Sequence, residues 1–302
     1  MSEPRSFSNI KAMISLLDDP DQDVFKQIST ELISMGTEVV PMLEEAWETA
    51  FDPVMQERIE NIIHKIQFDG VKEELRRWAL SDDQDLLTGA LLVARYQYPD
   101  LDESAVRGEL NRIKRDIWME LSEYMTPQER VMVMNKVLFE REGFAGNTAN
   151  FHAPQNSFLH TVVESRKGNP LLLSTIYMIL AKQLDMPVFG INLPEHFILA
   201  YQDPQGNAKP TYTYPQANIV FYINAFNKGS IFLKGDIDQF IRKLGLEFDR
   251  SYYEPCSNTQ IIRRMILNLS NSWQKLGETI KANEVAELLN HIPESHSPGD
   301  SE

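Results

Sequence analysis

One apolar helix and two later strands carry residue types from which a cysteine–histidine catalytic site is built. The helix opens after Gly168, the first strand carries His196, and the second strand ends at Asn224. In such a site the helix N-terminus favours a thiolate, the histidine acts as base and the third residue orients the imidazole. No cysteine opens this helix, since the chain has a single cysteine, Cys256, which follows both partners. The pattern predicts the framework of a catalytic site without its nucleophile.

Other residues are poor substitutes for that nucleophile. Cys256 lies in a turn-like stretch, 254–258, and is interpreted as a partly buried small apolar residue. Ser174 lies one turn inside the helix, so we expect its hydroxyl to bond backwards to a backbone carbonyl. His152, His160 and His196 lack a helical metal-ligand spacing, and phosphate-loop and dinucleotide motifs are absent. We therefore expect no metal and no cofactor.

The remaining pattern predicts helices on both sides of a small sheet. Val24, Ile28 and Leu32 share one helix face after an acidic start, and Gly36 ends that helix. Asp52-Pro53 restarts the pattern of Asp19-Pro20, which is typical of a HEAT-like repeat or of an ordinary helical bundle. Strands are predicted at 188–192, 197–201, 212–214 and 219–224, with a hairpin tip at 203–209. Helices return after residue 236, the last two as a possible hairpin, and residues 293–302 read as a frayed tail.

Composition narrows the classes of partner. The formal net charge of −15 disfavours nucleic acid, and the pair Arg263-Arg264 is interpreted as a solvated helix face. No apolar stretch is long enough to span a bilayer, and the N-terminus lacks the apolar core of a signal peptide. We expect a cytoplasmic protein that does not bind membranes.

Five segments together resemble the SirB-type transglutaminase-like family over about residues 90–245. They are 143–147 (GFAGN), 156–159 (NSFL), 166–170 (RKGNP), 173–174 (LS) and 194–197 (PEHF). The resemblance implies an α+β, mostly helical fold. It implies a transglutaminase-like domain of helices and a small antiparallel sheet at 96–250, followed by tetratricopeptide-like helices and a tail at 251–302. The helical pattern described above adds a HEAT-like region at 1–95.

The resemblance also assigns the catalytic positions. Pro170 falls where catalytic members carry cysteine, His196 at the histidine and Asn224 at the aspartate. Glu195 replaces a glycine common before that histidine, so the local turn is expected to differ. Asn156, Asn169 and Glu195 are candidates to line the cleft. We favour a buried His196 that is hydrogen-bonded to Asn224.

Two functions follow from these assignments. The first is a pseudoenzyme that acts as a protein-binding or regulatory scaffold through its helical flanks. The second is a hydrolase or transferase that uses His196 without the usual cysteine. An exposed His196 in an open cleft would favour the second, and a packed His196 the first.

Overall fold

The structure is a computed structural model that describes residues 7–203, 218–247 and 249–294. The predicted strand 212–214, residues 204–209 of the predicted tip and residues 295–302 of the predicted tail lie outside the described residues. The chain divides into two compact units, Met1–Arg76 and Arg77–Glu302. Helices dominate the described residues beside two small sheets, which confirms the mostly helical α+β class.

The first unit is helical throughout its described part. Its helices are α1 (Phe7–Ser15), α2 (Gln22–Ser34), α3 (Val40–Thr49) and α4 (Pro53–Ala79), whose last turn belongs to the second unit. Asp21 caps α2 by accepting the backbone N–H of Asp23 at 2.8 Å, and Gly36 with φ +71° follows its end. Leu17, Leu32 and Ile59 are fully buried in the core that these helices share. The predicted start and end of α2 are thus confirmed, while the HEAT-like repeat stays a prediction.

The second unit contains the remaining elements. Its helices are α5 (Leu86–Arg95), α6 (Glu103–Trp118), α7 (Pro127–Asn135, continued by a π-helical turn to Arg141), α8 (Leu159–Ser165), α9 (Pro170–Gln183), α10 (Lys234–Lys243), α11 (Asn258–Lys275) and α12 (Thr279–Glu287). As predicted, α11 and α12 pack against each other. Within the described ranges, no helix combines the length and the apolar character needed to cross a membrane.

Two sheets accompany these helices. A parallel pair joins β1 (Ala145–Gly146) to β2 (Lys167–Gly168). An antiparallel sheet has the order β3 (Val188–Asn192), β4 (Phe197–Gln202), β5 (Ile219–Asn224) and β6 (Ser230–Phe232). Its register pairs Gly190 with Leu199 and Leu199 with Ile223.

Helices cover both faces of the antiparallel sheet. Residues 171–181 of α9 are all buried, as the apolar groups around this helix predict, and α9 packs on β3 and β4. On the other face, Ile237 of α10 shares a core with Ile198 and Tyr222 of the sheet. Because side chains alternate along a strand, neighbouring residues of β4 point to different helices.

Candidate functional site

Helix α9 begins at Pro170 because Asn169 caps it. The Asn169 side chain accepts a hydrogen bond from the backbone N–H of Leu172 at 2.9 Å, and its Nδ2 donates to Ser157 Oγ at 3.1 Å. Pro170 takes the first helical position, where its missing N–H costs no helical hydrogen bond. The predicted helix start is confirmed, and Pro170 lies beside the free N–H groups of the first turn.

Asn156 shapes the loop that faces this helix start. It is buried, donates through Nδ2 to the backbone carbonyls of Asn150 at 2.7 Å and Phe151 at 3.0 Å, and accepts from Asn147 Nδ2 at 2.9 Å. With its amide used inside the loop, Asn156 positions its neighbours and does not line the pocket described below.

The turn before β4 holds Glu195 in a strained backbone conformation. Glu195 has φ +60°, and the N–H of His196 donates to the carbonyl of Pro194 at 2.7 Å. A positive φ inside an i to i+2 hydrogen bond is typical of the classic γ-turn, which is rare and strained. We expected the turn to differ once glycine was replaced. Glu195 adopts a backbone conformation that glycine favours, and a difference from the turn of other family members stays a prediction.

Arg264 of α11 holds that turn in place. Its Nη1 donates to the carbonyl of Leu193 at 2.8 Å and to Asn192 Oδ1, and its guanidinium lies 5.6 Å from the centre of the Phe197 ring. Burial lowers the pKa of Arg264, although a guanidinium remains charged at neutral pH. Among the described residues, no carboxylate oxygen lies within 4.0 Å of this guanidinium.

The interpretation of Arg263 and Arg264 as a solvated helix face was wrong. Arg263 donates to the carbonyl of Leu289 at 3.0 Å and pairs with Glu294, while Arg264 faces the sheet. Each guanidinium donates more than one hydrogen bond to neighbouring groups, and at least one of them to a backbone carbonyl, a role that a short charge cluster in a sequence does not reveal.

These elements surround a pocket of about 190 Å³. Phe151 and His152 line it from the loop, residues 169–171 from the start of α9, and Glu195 and Phe197 from the turn and β4. Polar side chains of α11 complete the lining: Arg264, Asn268, Asn271, Ser272 and Lys275. The positions 264, 268, 271 and 275 recur at helical spacing, a polar stripe that sequence reasoning missed but could have found.

The polar groups of the pocket wall make few bonds to one another. Lys275 Nζ lies 3.2 Å from His152 Nδ1, and Ser272 Oγ donates to the backbone carbonyl of Asn268 at 2.8 Å. The Ser272 hydroxyl is therefore bonded to the backbone rather than to a base. Glu195 is exposed at the rim, with no hydrogen bond or ion pair from its side chain to the described residues.

His196 and Asn224 are not assembled with Pro170. The His196 ring packs edge-on against Phe240 of α10, with ring centres 4.7 Å apart, and the side chain is exposed. Asn224 accepts the backbone N–H of Asn227 at 3.2 Å and, by alternation along β5, shares the α10 side with Tyr222. Our expectation of a buried His196 bonded to Asn224 was wrong. Glu195 and Phe197 face the pocket, and His196 between them points to the other side of the sheet.

The other nucleophile candidates lie elsewhere. Ser174 is fully buried, and its hydroxyl has no hydrogen-bond partner in the part of the chain that the structure describes, so the expected bond to a backbone carbonyl is not formed there. Thr175 makes one instead, to Leu171 at 2.9 Å. Cys256 lines a separate, mainly apolar cavity of about 560 Å³ with Gly190 and Met178. Burial raises the pKa of Cys256 to about 12, which suppresses its thiolate.

Most of the residues that line this pocket lie in a part of the chain that matches a known superfamily. A model of the transglutaminase-like superfamily matches residues 104–267, more than half of the chain, and the chain therefore belongs to this superfamily. The matched range contains the sheet, α9 and Arg264.

Individual relatives match this chain at modest sequence identity. A UPF0162 protein of Xylella fastidiosa (strain 9a5c) is 27% identical over 231 residues, covering 72% of this chain and 77% of the relative. A UPF0162 protein of Pseudomonas aeruginosa is 25% identical over 199 residues, covering 65% and 68%. Human F-box only protein 21 is 28% identical over 145 residues, 48% of this chain but only 22% of the human protein. No solved structure matches the chain.

Proposed function

We propose that this chain is a non-catalytic, SirB-type transglutaminase-like protein that acts in the cytoplasm as a protein-binding or regulatory scaffold. The observation that carries the proposal is Pro170, which opens α9 and lines the pocket where a nucleophile would lie. Proline has no nucleophilic atom. We keep the division into a HEAT-like region 1–95, a transglutaminase-like domain 96–250 and tetratricopeptide-like helices 251–302 as part of this proposal.

The chemistry of the pocket supports a binding role. Its one hydroxyl, on Ser272, is bonded to a backbone carbonyl, and His196 points away from it. A hydroxyl or thiol nucleophile needs hydrogen-bond contact with its base, and no hydroxyl–base or thiol–base pair lies in the described pocket wall.

An exposed apolar segment supports a protein partner. Trp118 and Met119 at the end of α6, Tyr124 in the following loop and Met132 on α7 are 68%, 69%, 88% and 64% exposed. Large aromatic and methionine side chains are enriched in protein interfaces, where their burial contributes strongly to affinity.

Capture from native lysate followed by mass spectrometry tests the scaffold proposal. We would compare the wild-type chain with Tyr124→Ser and, as a matched control, with Ile280→Ser, which removes a residue 85% exposed on α12. We expect a partner that is retained by Ile280→Ser and lost with Tyr124→Ser. Equal capture of a partner by the wild type and both variants would count against this surface as the scaffold's binding site. Failure of all three proteins to capture any partner would count against it as well.

The alternative is a hydrolase or transferase that uses His196, and the exposure of this side chain favours it. Ester and amide substrates incubated with the wild type and with His196→Ala distinguish the two functions. We expect no turnover by either protein. Turnover that His196→Ala abolishes would replace the scaffold proposal.

A further inference from the structure

Two cations in the pocket wall lack a carboxylate partner. Arg264 and Lys275 have no carboxylate oxygen within 4.0 Å among the described residues, although the chain carries 44 acidic side chains against 29 basic ones. Elsewhere in the same unit, Arg112 contacts Glu142 at 2.5 Å and Arg166 pairs with Glu109. Two cations against the single carboxylate of Glu195 leave the wall of this pocket with a local excess of positive charge in an otherwise acidic chain.

The guanidinium of Arg264 keeps one donor edge unused. Among the described residues, only Nη1 of this guanidinium donates hydrogen bonds, and neither Nε nor Nη2 is a fully buried atom without a partner. Nε and Nη2 therefore both keep some solvent-accessible surface, and Arg264 is a residue of the pocket wall. Two parallel N–H groups on one edge match the two oxygens of a carboxylate or phosphate.

The other donors converge on the same space. Lys275, Asn268 and Asn271 extend from the same face of α11, opposite the start of α9. An ammonium and amide groups complete a donor set for an anion. The volume of about 190 Å³ suits a small headgroup rather than a drug-sized ligand.

We propose that this pocket binds the oxyanion group of a ligand, a carboxylate or a phosphate, through the free edge of Arg264 and the ammonium of Lys275. The inference rests on the proposed function in that the pocket binds without reacting, and it names the chemistry that the pocket recognises. Glu195 at the rim adds a negative charge that disfavours polyanions such as nucleic acid.

An NMR titration of the full chain tests the proposal at the site itself. Inorganic phosphate and acetate serve as separate probes, and the side-chain amide signals of Asn268 and Asn271 report binding. We expect saturable shifts with at least one probe, and weaker binding as ionic strength rises. Saturation by phosphate alone identifies a phosphate ligand, and saturation by acetate identifies a carboxylate.

Matched variants assign the binding to the cations. Lys275→Gln, at an exposed position that tolerates change, should raise Kd about tenfold, since a hydrogen bond to a charged group contributes that much. Arg264→Lys keeps the positive charge but loses the two parallel N–H donors of the guanidinium, so it should also weaken binding. Lys243→Gln on α10 lies outside the pocket and should leave Kd unchanged.

Two results would overturn the proposal: no saturable shift with either probe, or equal affinity in Lys275→Gln and Lys243→Gln. The outcome is separable from that of the scaffold proposal, which partner capture and substrate turnover test without either probe.

Discussion

Replacing Pro170 with cysteine tests whether the start of α9 is still a site for an anion. Pro170 is partly exposed, lines the pocket and occupies the first helical position. The substitution removes a preset φ but breaks no helical hydrogen bond, so we expect a loss of stability below about 1 kcal/mol.

The pocket should lower the pKa of the introduced thiol. A helix N-terminus stabilises an anion by about 1 kcal/mol. A unit positive charge beside solvent adds only ~0.5 kcal/mol, so the two cations together add ~1 kcal/mol. Because about 1.4 kcal/mol corresponds to one pKa unit, the helix end with Arg264 and Lys275 should lower the thiol pKa from about 8.5 to about 7. His196 contributes little, since its ring packs on the other side of the sheet.

Alkylation rates by iodoacetamide across pH measure this pKa, in a Cys256→Ser background that leaves a single thiol. Pro127→Cys is a matched control, because Pro127 also follows an N-cap, Thr126, at the first position of a helix but lies outside the pocket. We expect a lower midpoint for Pro170→Cys than for Pro127→Cys, and a rise when Lys275→Gln is added. Equal midpoints in the two cysteine variants would refute the placement of the cations around the start of α9.

Three further predictions follow from single positions. Glu195→Gly should be about 1 kcal/mol more stable in urea unfolding than Glu195→Ala, because only glycine relieves a positive φ; equal stabilities would contradict strain at this turn. The hydrogen bond from Arg112 holds the pKa of Glu109 at about 2, so the stability it contributes is complete above about pH 4.5 and is lost as pH falls towards 2. The stability difference between wild type and Glu109→Gln should shrink over that interval, and a constant difference would exclude this cause. Cys256→Ser should change stability by less than about 1 kcal/mol, and the wild-type thiol should resist alkylation at neutral pH because its pKa is near 12; rapid alkylation or loss of soluble protein would refute this.

Local sequence rules predicted the elements well. Asn169 before Pro170 is a helix-start signal that depends only on neighbouring backbone groups, and the structure shows that cap. The apolar residues around α9 predicted its burial between other elements, as observed. Such signals are short-range, so one sequence contains them in full.

The direction of side chains around the site was not predictable in the same way. His196 and Phe197 are adjacent, and a one-residue difference in alternation decides which of them faces Pro170. Arg264 is 71 residues from Leu193, whose carbonyl it binds, so no local pattern connects them. The family resemblance supplied positions along the chain but not the sheet face on which each side chain lies.

The properties of the pocket favour binding over architecture alone. A γ-turn around Glu195 costs roughly 1–3 kcal/mol of strain, and glycine would remove it. A half-buried Arg264 that has no carboxylate oxygen within 4.0 Å in the described ranges also loses hydration, which an ion pair would partly offset. Packing α9 against the sheet requires neither the strained turn nor the desolvated Arg264, because Asn169 and Pro170 already fix the helix start. A strained turn at Glu195 and a charged Arg264 in the wall of one small pocket are instead typical of a ligand-binding site. If Glu195→Gly and Lys275→Gln both leave oxyanion binding unchanged, these costs serve the fold and the pocket is architecture.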